Sequence, residues 1–136
     1  MTDRLSSGAR DLIARPVLGS LATIAKDGSP QITPLWVDLD GDDILINTAQ
    51  SRSKAANIER SPRVALCVVD PDDPFNVVAV HGTVIEVTNT GADEHIDRLA
   101  KKYMGVDEYP LRQEGEVRLK IRIRTDRIVM QPAGDS

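Results

Sequence analysis

The residues best suited to chemistry in this chain lie at the start of a short predicted helix. Arg52 and Lys54 follow the aliphatic strand Ile44–Thr48, with Ser53 and Asn57 beside them. The first turn of a helix has unpaired backbone N–H groups and a partial positive charge, so further cations there are locally unfavourable and anions are favoured. Two cations at this point therefore indicate a site for a strong anion such as phosphate, with a solvated surface turn as the alternative.

The composition predicts one globular domain over residues 1–136. The chain is 40% hydrophobic and 28% charged, with a formal net charge of -4 and 3% aromatic residues. An acidic chain with so few aromatic side chains is a poor candidate for nucleic-acid binding. Its single cysteine cannot form an internal disulfide, and no long apolar run indicates a signal peptide or a membrane span. We expect a cytoplasmic protein with no membrane partner.

The apolar periodicity predicts a mainly β fold with short helices. Helical spacing indicates an N-terminal helix that ends before Pro16, a short helix at Ser53–Arg60 and a later one at Asp93–Met104. Pro34 lies inside a predicted strand, which indicates an edge or a bulge. Six strands are predicted: Val17–Ala25, Gln31–Leu39, Ile44–Thr48, Arg63–Val69, Val77–Val87 and Glu116–Arg124. Closing such a sheet into an antiparallel barrel would remove its exposed edges.

Other candidate motifs are weaker. Ser51 and Lys54 match the Ser-x-x-Lys signature of penicillin-binding enzymes, but the accompanying Ser-Asp-Asn and Lys-Thr-Gly motifs are absent. His81 is predicted to be a barrel or interface residue and His95 to be solvated, and neither has metal-ligand spacing. Cys67 is predicted to be a small core residue. With no nucleophile beside a base, we assign no catalytic residue and no metal site, and a bound cofactor is the economical source of chemistry.

Seven short motifs occur in a consistent order along nearly the whole chain. They are Leu18–Thr23, Asp27–Gln31, Pro34–Trp36, Arg52–Ile58, Gly91–Asp97, Lys102–Gly105 and Tyr109-Pro110. The first three resemble the split β-barrel flavin and deazaflavin oxidoreductases, the pyridoxamine-phosphate-oxidase-like superfamily, and the fourth resembles that family's phosphate loop and helix. The last three are similar to the branch that uses coenzyme F420.

The resemblance implies a six-stranded antiparallel split β-barrel that forms a homodimer, with two cofactors in grooves at the subunit interface. The residues carried over to the phosphate are Arg52, Ser53, Lys54 and Asn57. Those carried over to the deazaflavin ring are Thr33, Pro34, Leu35 and Trp36, with Asn47 and Thr48 beneath it. The opposite subunit would complete the pocket through Phe75 and its loop. The alternative for Trp36 is a core or dimer-interface residue.

The activity implied by the resemblance is that of an F420-dependent reductase. It would transfer a hydride from the reduced deazaflavin to a small electron-poor organic substrate, while the protein supplies placement and water exclusion. FMN or FAD in the same fold is an alternative, because these cofactors also bring a phosphate to the same residues. A non-catalytic F420-binding or carrier protein and a haem-degrading member of the fold are further alternatives. No side chain is assigned as a proton donor, and the physiological substrate is not identified.

Overall fold

A computed structural model describes residues 3–133, which form three helices and seven strands. In chain order these are α1 Ser7–Ala14, β1 Gly19–Ile24, β2 Pro30–Leu35, β3 Asp38–Asp40, β4 Asp43–Ala49, α2 Ser53–Arg60, β5 Arg63–Asp70, β6 Asp73–Thr88, α3 Ala92–Met104 and β7 Arg118–Met130. All pairs are antiparallel, in the order β2-β1-β5-β6-β7-β4-β3. The predicted mainly β class with short helices is confirmed, but the predicted number of six strands is wrong.

The seventh strand arises because the predicted strand Gln31–Leu39 is divided in two. Trp36 and Val37 separate β2, which pairs with β1, from β3, which pairs with β4. The alternation of buried positions continues across the break, since Leu35 and Val37 are both buried, and so the sequence pattern does not reveal it. Pro34 does lie on an edge strand, as its missing N–H predicts.

The two edges of the sheet are joined by only two residues. β2 and β3 lie at opposite ends of the strand order, yet only Trp36 and Val37 separate them along the chain. Because consecutive Cα atoms are about 3.8 Å apart, Leu35 and Asp38 lie within about 11 Å of each other. The sheet must therefore curl until its edges nearly meet. Within residues 3–133 the strand ladder is open rather than closed, and the gap lies at Trp36 and Val37, which we call the split.

Helix α3 supplies the hydrogen bonds that the split would otherwise leave unmade. The Tyr103 hydroxyl accepts from the Val37 N–H at 3.0 Å and donates to the Val17 carbonyl at 2.7 Å. The Lys102 Nζ donates to the carbonyls of Ile13 and Val37, each at 2.7 Å. Burial raises the pKa of Tyr103, so its hydroxyl stays protonated and can continue to donate. Both peptide groups of Val37 are thus satisfied without a strand partner.

The core is aliphatic, as the composition predicts. Helix α1 contributes Ala9, Leu12 and Ile13, and the inward faces of the strands supply the remaining side chains, mainly valine, leucine and isoleucine. The prediction that Cys67 belongs to the core is wrong, because the alternation of β5 turns this half-buried side chain to the outer face of the sheet. None of the helices described between residues 3 and 133 has the length and apolar character needed to cross a membrane.

The Tyr103 hydroxyl is expected to contribute directly to stability. Tyr103→Phe keeps the ring but leaves the buried Val37 N–H without its acceptor, so we expect the free energy of unfolding to fall by about 1–3 kcal/mol in urea denaturation. Tyr109→Phe is the matched control, because the Tyr109 hydroxyl makes no hydrogen bond to any side chain or backbone group in the described range. Equal effects of the two substitutions would show that Tyr103 does not hold the split.

Candidate functional site: a pocket beside the split and a cationic helix start

An apolar pocket of about 250 Å³ opens beside the split. It is lined by Leu18, Pro34, Leu35, Trp36, Asn47, Ile96, Leu99, Tyr109, Leu111 and Arg118. Its wall is largely aliphatic and aromatic, while Asn47 and Arg118 provide the polar groups. This arrangement suits a flat, mostly apolar molecule that carries a hydrogen-bond acceptor.

Four of the ten predicted cofactor-binding residues line this pocket, namely Pro34, Leu35, Trp36 and Asn47. The other two ring-side residues do not line it. Thr33 lies half-buried opposite Leu21, and Thr48 lies buried opposite Leu119. The four phosphate-side residues, Arg52, Ser53, Lys54 and Asn57, are found together at α2. Contact of these ten residues with a cofactor stays a prediction.

The indole of Trp36 forms a fixed wall of the pocket. It stacks on Tyr103 with ring centroids 5.1 Å apart and an interplanar angle of 11°. It also meets the edge of Tyr109, at 6.1 Å and 87°. Such aromatic pairs contribute about 0.5–1.5 kcal/mol beyond the area they bury, so the indole is held in one orientation before any ligand binds.

A long segment, residues 106–117, crosses the mouth of the pocket and brings Tyr109 and Leu111 to it. Helix α3 holds this segment through Asp97. The Asp97 carboxylate accepts from the Tyr109 backbone N–H at 2.9 Å and from Arg112 at 2.7 Å. Arg112 also pairs with Asp93 at 3.0 Å. The segment is therefore tied down by ionic contacts rather than by a buried core, which suits a cover over a ligand site.

The start of α2 carries positive charge that no side chain balances. Among residues 3–133, no carboxylate lies within salt-bridge distance of Arg52 or Lys54. Arg52 is the N-cap and makes no capping side-chain bond, and the backbone N–H groups of Ser53 and Lys54 have no acceptor in the described range. The free donors and the two cations therefore lie within three consecutive residues at the start of α2, where the sequence predicts an anion site.

Lys54 experiences this excess charge directly. Burial lowers its pKa, and the positive charges of Arg52 and Arg118 lower it further. Arg118 also lines the pocket. We call Arg52, Lys54 and Arg118 the cationic cluster. Because Arg118 both lines the pocket and acts on Lys54, the start of α2 lies near the side of the pocket formed by Asn47 and Arg118.

Ser53 and Asn57 are already engaged with β1 and β2. The Asn57 amide is buried and donates to Thr23 at 3.0 Å and to Gln31 at 2.9 Å, and its carbonyl oxygen accepts from Arg60 at 2.7 Å. The Ser53 hydroxyl accepts from Gln31 at 3.0 Å. These bonds anchor α2 against the sheet, so they fix the direction in which the helix start points.

A buried polar network links α3 to the pocket, and sequence reasoning missed it. His95 Nε2 lies 3.3 Å from Asp38, and its Nδ1 lies 3.2 Å from the Asn47 amide nitrogen. The Asn47 oxygen accepts from Arg118 Nε at 2.9 Å, and Arg118 also pairs with Glu116 at 2.6 Å. We call the chain Asp38–His95–Asn47–Arg118 the buried network.

The predicted solvation of His95 is wrong, since only 3% of the residue is exposed. The signal was available: His95 precedes the buried Leu99 by four residues, so helical spacing places both on one face. Arg118 was missed because strand alternation assigns the charges of β7 to the wet side. Its guanidinium is instead covered, and it lies over the Tyr109 ring with 5.2 Å to the centroid.

Asp38 is the fixed negative charge of the buried network. Burial acts to raise the pKa of its carboxyl group, but hydrogen bonds from His95 and Arg98 outweigh burial and hold that pKa well below its usual range. The carboxylate is therefore ionised at neutral pH and acts as an acceptor for both partners.

The lowered pKa of Lys54 makes stability depend on pH. A lysine with a lower pKa in the folded state binds its proton less well when folded. The cost of the charged lysine to folding stability therefore disappears as the pH rises from the lowered pKa towards 10.5. We expect the free energy of unfolding of the wild type to rise over this range relative to Lys54→Gln, measured by urea denaturation without ligand. Lys26→Gln, in the exposed β1–β2 turn, should keep the wild-type rise. Parallel wild-type and Lys54→Gln curves would contradict the described environment of Lys54.

Known proteins resemble this chain over nearly its full described length. The family described as pyridoxamine 5'-phosphate oxidase matches residues 5–129. An F420 reductase of known structure is 29% identical, over 88% of this chain and 94% of its own, with a TM-score of 0.77. A conserved hypothetical protein from Mycobacterium tuberculosis is 25% identical, over 93% and 84%, with a TM-score of 0.71. HupZ from Group A Streptococcus is 25% identical, over 93% and 94%, with a TM-score of 0.66.

These similarities confirm the resemblance that the order of the motifs indicated, both to the superfamily and to an F420 reductase. The open sheet of this chain, with its two edges joined at Trp36 and Val37, agrees with the split barrel that the resemblance implies. The chain belongs to the pyridoxamine 5'-phosphate oxidase family, and it is an oxidoreductase-like protein with a split-barrel fold.

Proposed function

We propose that this protein binds coenzyme F420 and transfers a hydride from its reduced deazaflavin to a small electron-poor organic substrate. The observation that carries the proposal is that Arg52 and Lys54, which no carboxylate of the described residues pairs, lie beside an apolar, aromatic-walled pocket. Arg118, which pairs with Glu116, lines that pocket and acts on Lys54. The similarity to an F420 reductase at 29% identity supports the choice of cofactor.

The described residues fit such a cofactor at both ends. A phosphate would accept from the free N–H groups at the start of α2 and would offset the charges of Arg52 and Lys54. The apolar pocket with its fixed indole suits a flat ring. Its volume of about 250 Å³ is below the usual range for a whole cofactor. A second copy of the chain would supply the rest of the site.

Coenzyme F420, when bound, supplies the hydride chemistry, and the residues of this chain supply placement. The cationic cluster would hold the phosphate end, and Trp36 would fix the plane of the ring. The segment at residues 106–117 would exclude water through Tyr109 and Leu111. No side chain is assigned as a proton donor, so the proton that completes reduction of the substrate comes from solvent in this proposal.

The same proposal includes a homodimer. The outer face of β1, β5 and β6 has a shallow groove of about 210 Å³ lined mainly by small and apolar side chains, including Ala22, Ala65, Cys67 and Ala79. Ile32 at its border is 67% exposed. Phe75, on the β5–β6 hairpin, is 91% exposed, which supports its predicted role in the pocket of the opposite subunit.

Two alternatives have support in the structure. FMN would bring its phosphate to the same cationic cluster, and the family name refers to a phosphate-bearing substrate. A non-catalytic carrier is compatible with the pocket, because none of its lining residues is a serine, cysteine or histidine nucleophile.

Binding measurements distinguish the cofactors. We expect calorimetry to show tighter binding of F420 than of FMN, and Lys54→Ala to weaken F420 binding by about 1.5–3 kcal/mol through loss of a charge-assisted hydrogen bond. Lys26→Ala, which removes an equal charge from an exposed turn, should leave affinity unchanged. Tighter binding of FMN would remove the F420 assignment. Unchanged affinity in Lys54→Ala would place the phosphate elsewhere.

Turnover distinguishes an enzyme from a carrier. Reduced F420 mixed with a panel of enones and quinones should be oxidised faster in the presence of the protein, monitored by the absorbance of the cofactor. Tight F420 binding without acceleration for any acceptor would favour the carrier.

The dimer can be tested at its proposed face. Ala65→Arg places a charge in the groove on the outer face, so we expect a monomer by sedimentation equilibrium and weaker F420 binding, because the partner completes the site. Ala14→Arg, on the exposed face of α1, is the matched control and should remain dimeric. A wild-type monomer that binds F420 tightly would contradict this arrangement.

A further inference from the structure

We propose that His95 is a positioning residue whose neutral form holds Asn47, and through it Arg118, in the geometry that binds an anion, so that protonation of His95 weakens anion binding. The statement about the buried network stands on contacts within this chain. The statement about anion binding rests on the proposed function.

The contacts of His95 select one tautomer. Only 3% of the residue is exposed, so water does not supply its hydrogen bonds. The Asp38 carboxylate, 3.3 Å from Nε2, is ionised and can only accept, which places the ring proton on Nε2. Nδ1 is then an acceptor, and the group that faces it at 3.2 Å is the Asn47 amide nitrogen, a donor. The neutral imidazole therefore matches both neighbours.

The orientation of the Asn47 amide is equally determined. Its nitrogen donates to the Ala92 carbonyl at 2.8 Å on the same side as His95, and its oxygen accepts from Arg118 Nε at 2.9 Å on the other. The reversed amide would place two donors against each other at Arg118 and two acceptors against each other at Ala92. The neutral ring, the amide and the guanidinium thus form one consistent chain of donors and acceptors.

Protonation breaks this consistency. An imidazolium carries hydrogen on both ring nitrogens, so Nδ1–H would point at the NH₂ of Asn47. Asn47 can accept from it only by turning its amide, and the turned NH₂ then faces Arg118 Nε. Arg118 loses one of its two side-chain hydrogen bonds and keeps the pair with Glu116 at 2.6 Å. Its guanidinium is then free to leave the position between the pocket and Lys54.

The charges around His95 act in opposite directions. Asp38 favours the imidazolium, but the same carboxylate oxygen already accepts from Arg98 at 2.5 Å. The positive groups on the surrounding elements are Arg98 and Lys102 on α3, and Arg118 and Lys120 on β7. Burial also opposes the charged ring. The neutral ring is the form that fits the acceptor at Asp38 and the donor at Asn47, so it is the form that this proposal assigns to anion binding.

The test uses sulfate, a dianion whose charge is constant over the range, and follows its binding by NMR at Lys54 and at Arg118 Nε–H. Between about pH 7.5 and pH 5.5, we expect wild-type affinity to fall by roughly 5-fold or more. His95→Gln can donate to Asp38 and accept from Asn47 without titrating, so its affinity should change by less than about 2-fold. His81→Gln removes the other histidine, which is exposed on β6, and should keep the wild-type pH dependence.

A measurement on the wild type alone guards against a variant that fails to fold. The Arg118 Nε–H resonance should shift with the same midpoint as the His95 ring, with no ligand present. An Arg118 signal that does not move while His95 titrates, or a His95 that stays neutral throughout the range, overturns the proposal. So does an equal pH dependence of sulfate binding in wild type and His95→Gln. If the network responds as expected but F420 does not bind, the inference stands and the proposed cofactor is wrong.

Discussion

The architecture depends on how the peptide groups of Val37 are satisfied. This residue lies where the chain passes from one edge of the sheet to the other, so no strand can pair with it. Tyr103 and Lys102, both near the end of α3, make the bonds that a ladder would have made. Because the same tyrosine stacks on Trp36, the contact that holds the barrel edges together also sets one wall of the pocket. Stability and site geometry therefore share one set of atoms.

Electrostatics in this molecule is organised in two contrasting ways. Most arginines are paired, for example Arg15 with Asp70 and Arg122 with Asp43. The start of α2 instead gathers cations without carboxylates, and burial and repulsion depress the pKa of Lys54. The charged form of Lys54 is therefore disfavoured in the folded chain, and an anion bound at the proposed site would offset this effect.

The sequence predicts the helices well and the site only in part. The helix Ser53–Arg60 and its cations follow from local periodicity and the Pro62 that ends it, so they could be read directly. The division of the predicted strand at Trp36 could not be predicted, because the alternation of buried and exposed side chains continues through it. The burial of His95 follows from its helical spacing to Leu99 and was missed although that signal was present. The burial of Arg118 comes from segments distant in the chain, which local patterns do not encode. Likeness to a known family suggested the cofactor that we propose, and the residues alone indicated only an anion.

Nine of the ten residues that line the pocket lie outside the three central strands of the sheet, β5, β6 and β7. Leu18 precedes β1, Trp36 lies between strands, Ile96 and Leu99 belong to α3, and Leu111 belongs to the covering segment. The strands β5, β6 and β7, which make the most extensive pairings, contribute only Arg118 at the very beginning of β7. Among these residues, Leu18 and Leu111 are exposed, whereas Ile96 and Leu99 are buried. Substitutions at the two exposed positions can therefore change which molecules are admitted at little cost to the core, while the wall formed by α3 is constrained by folding.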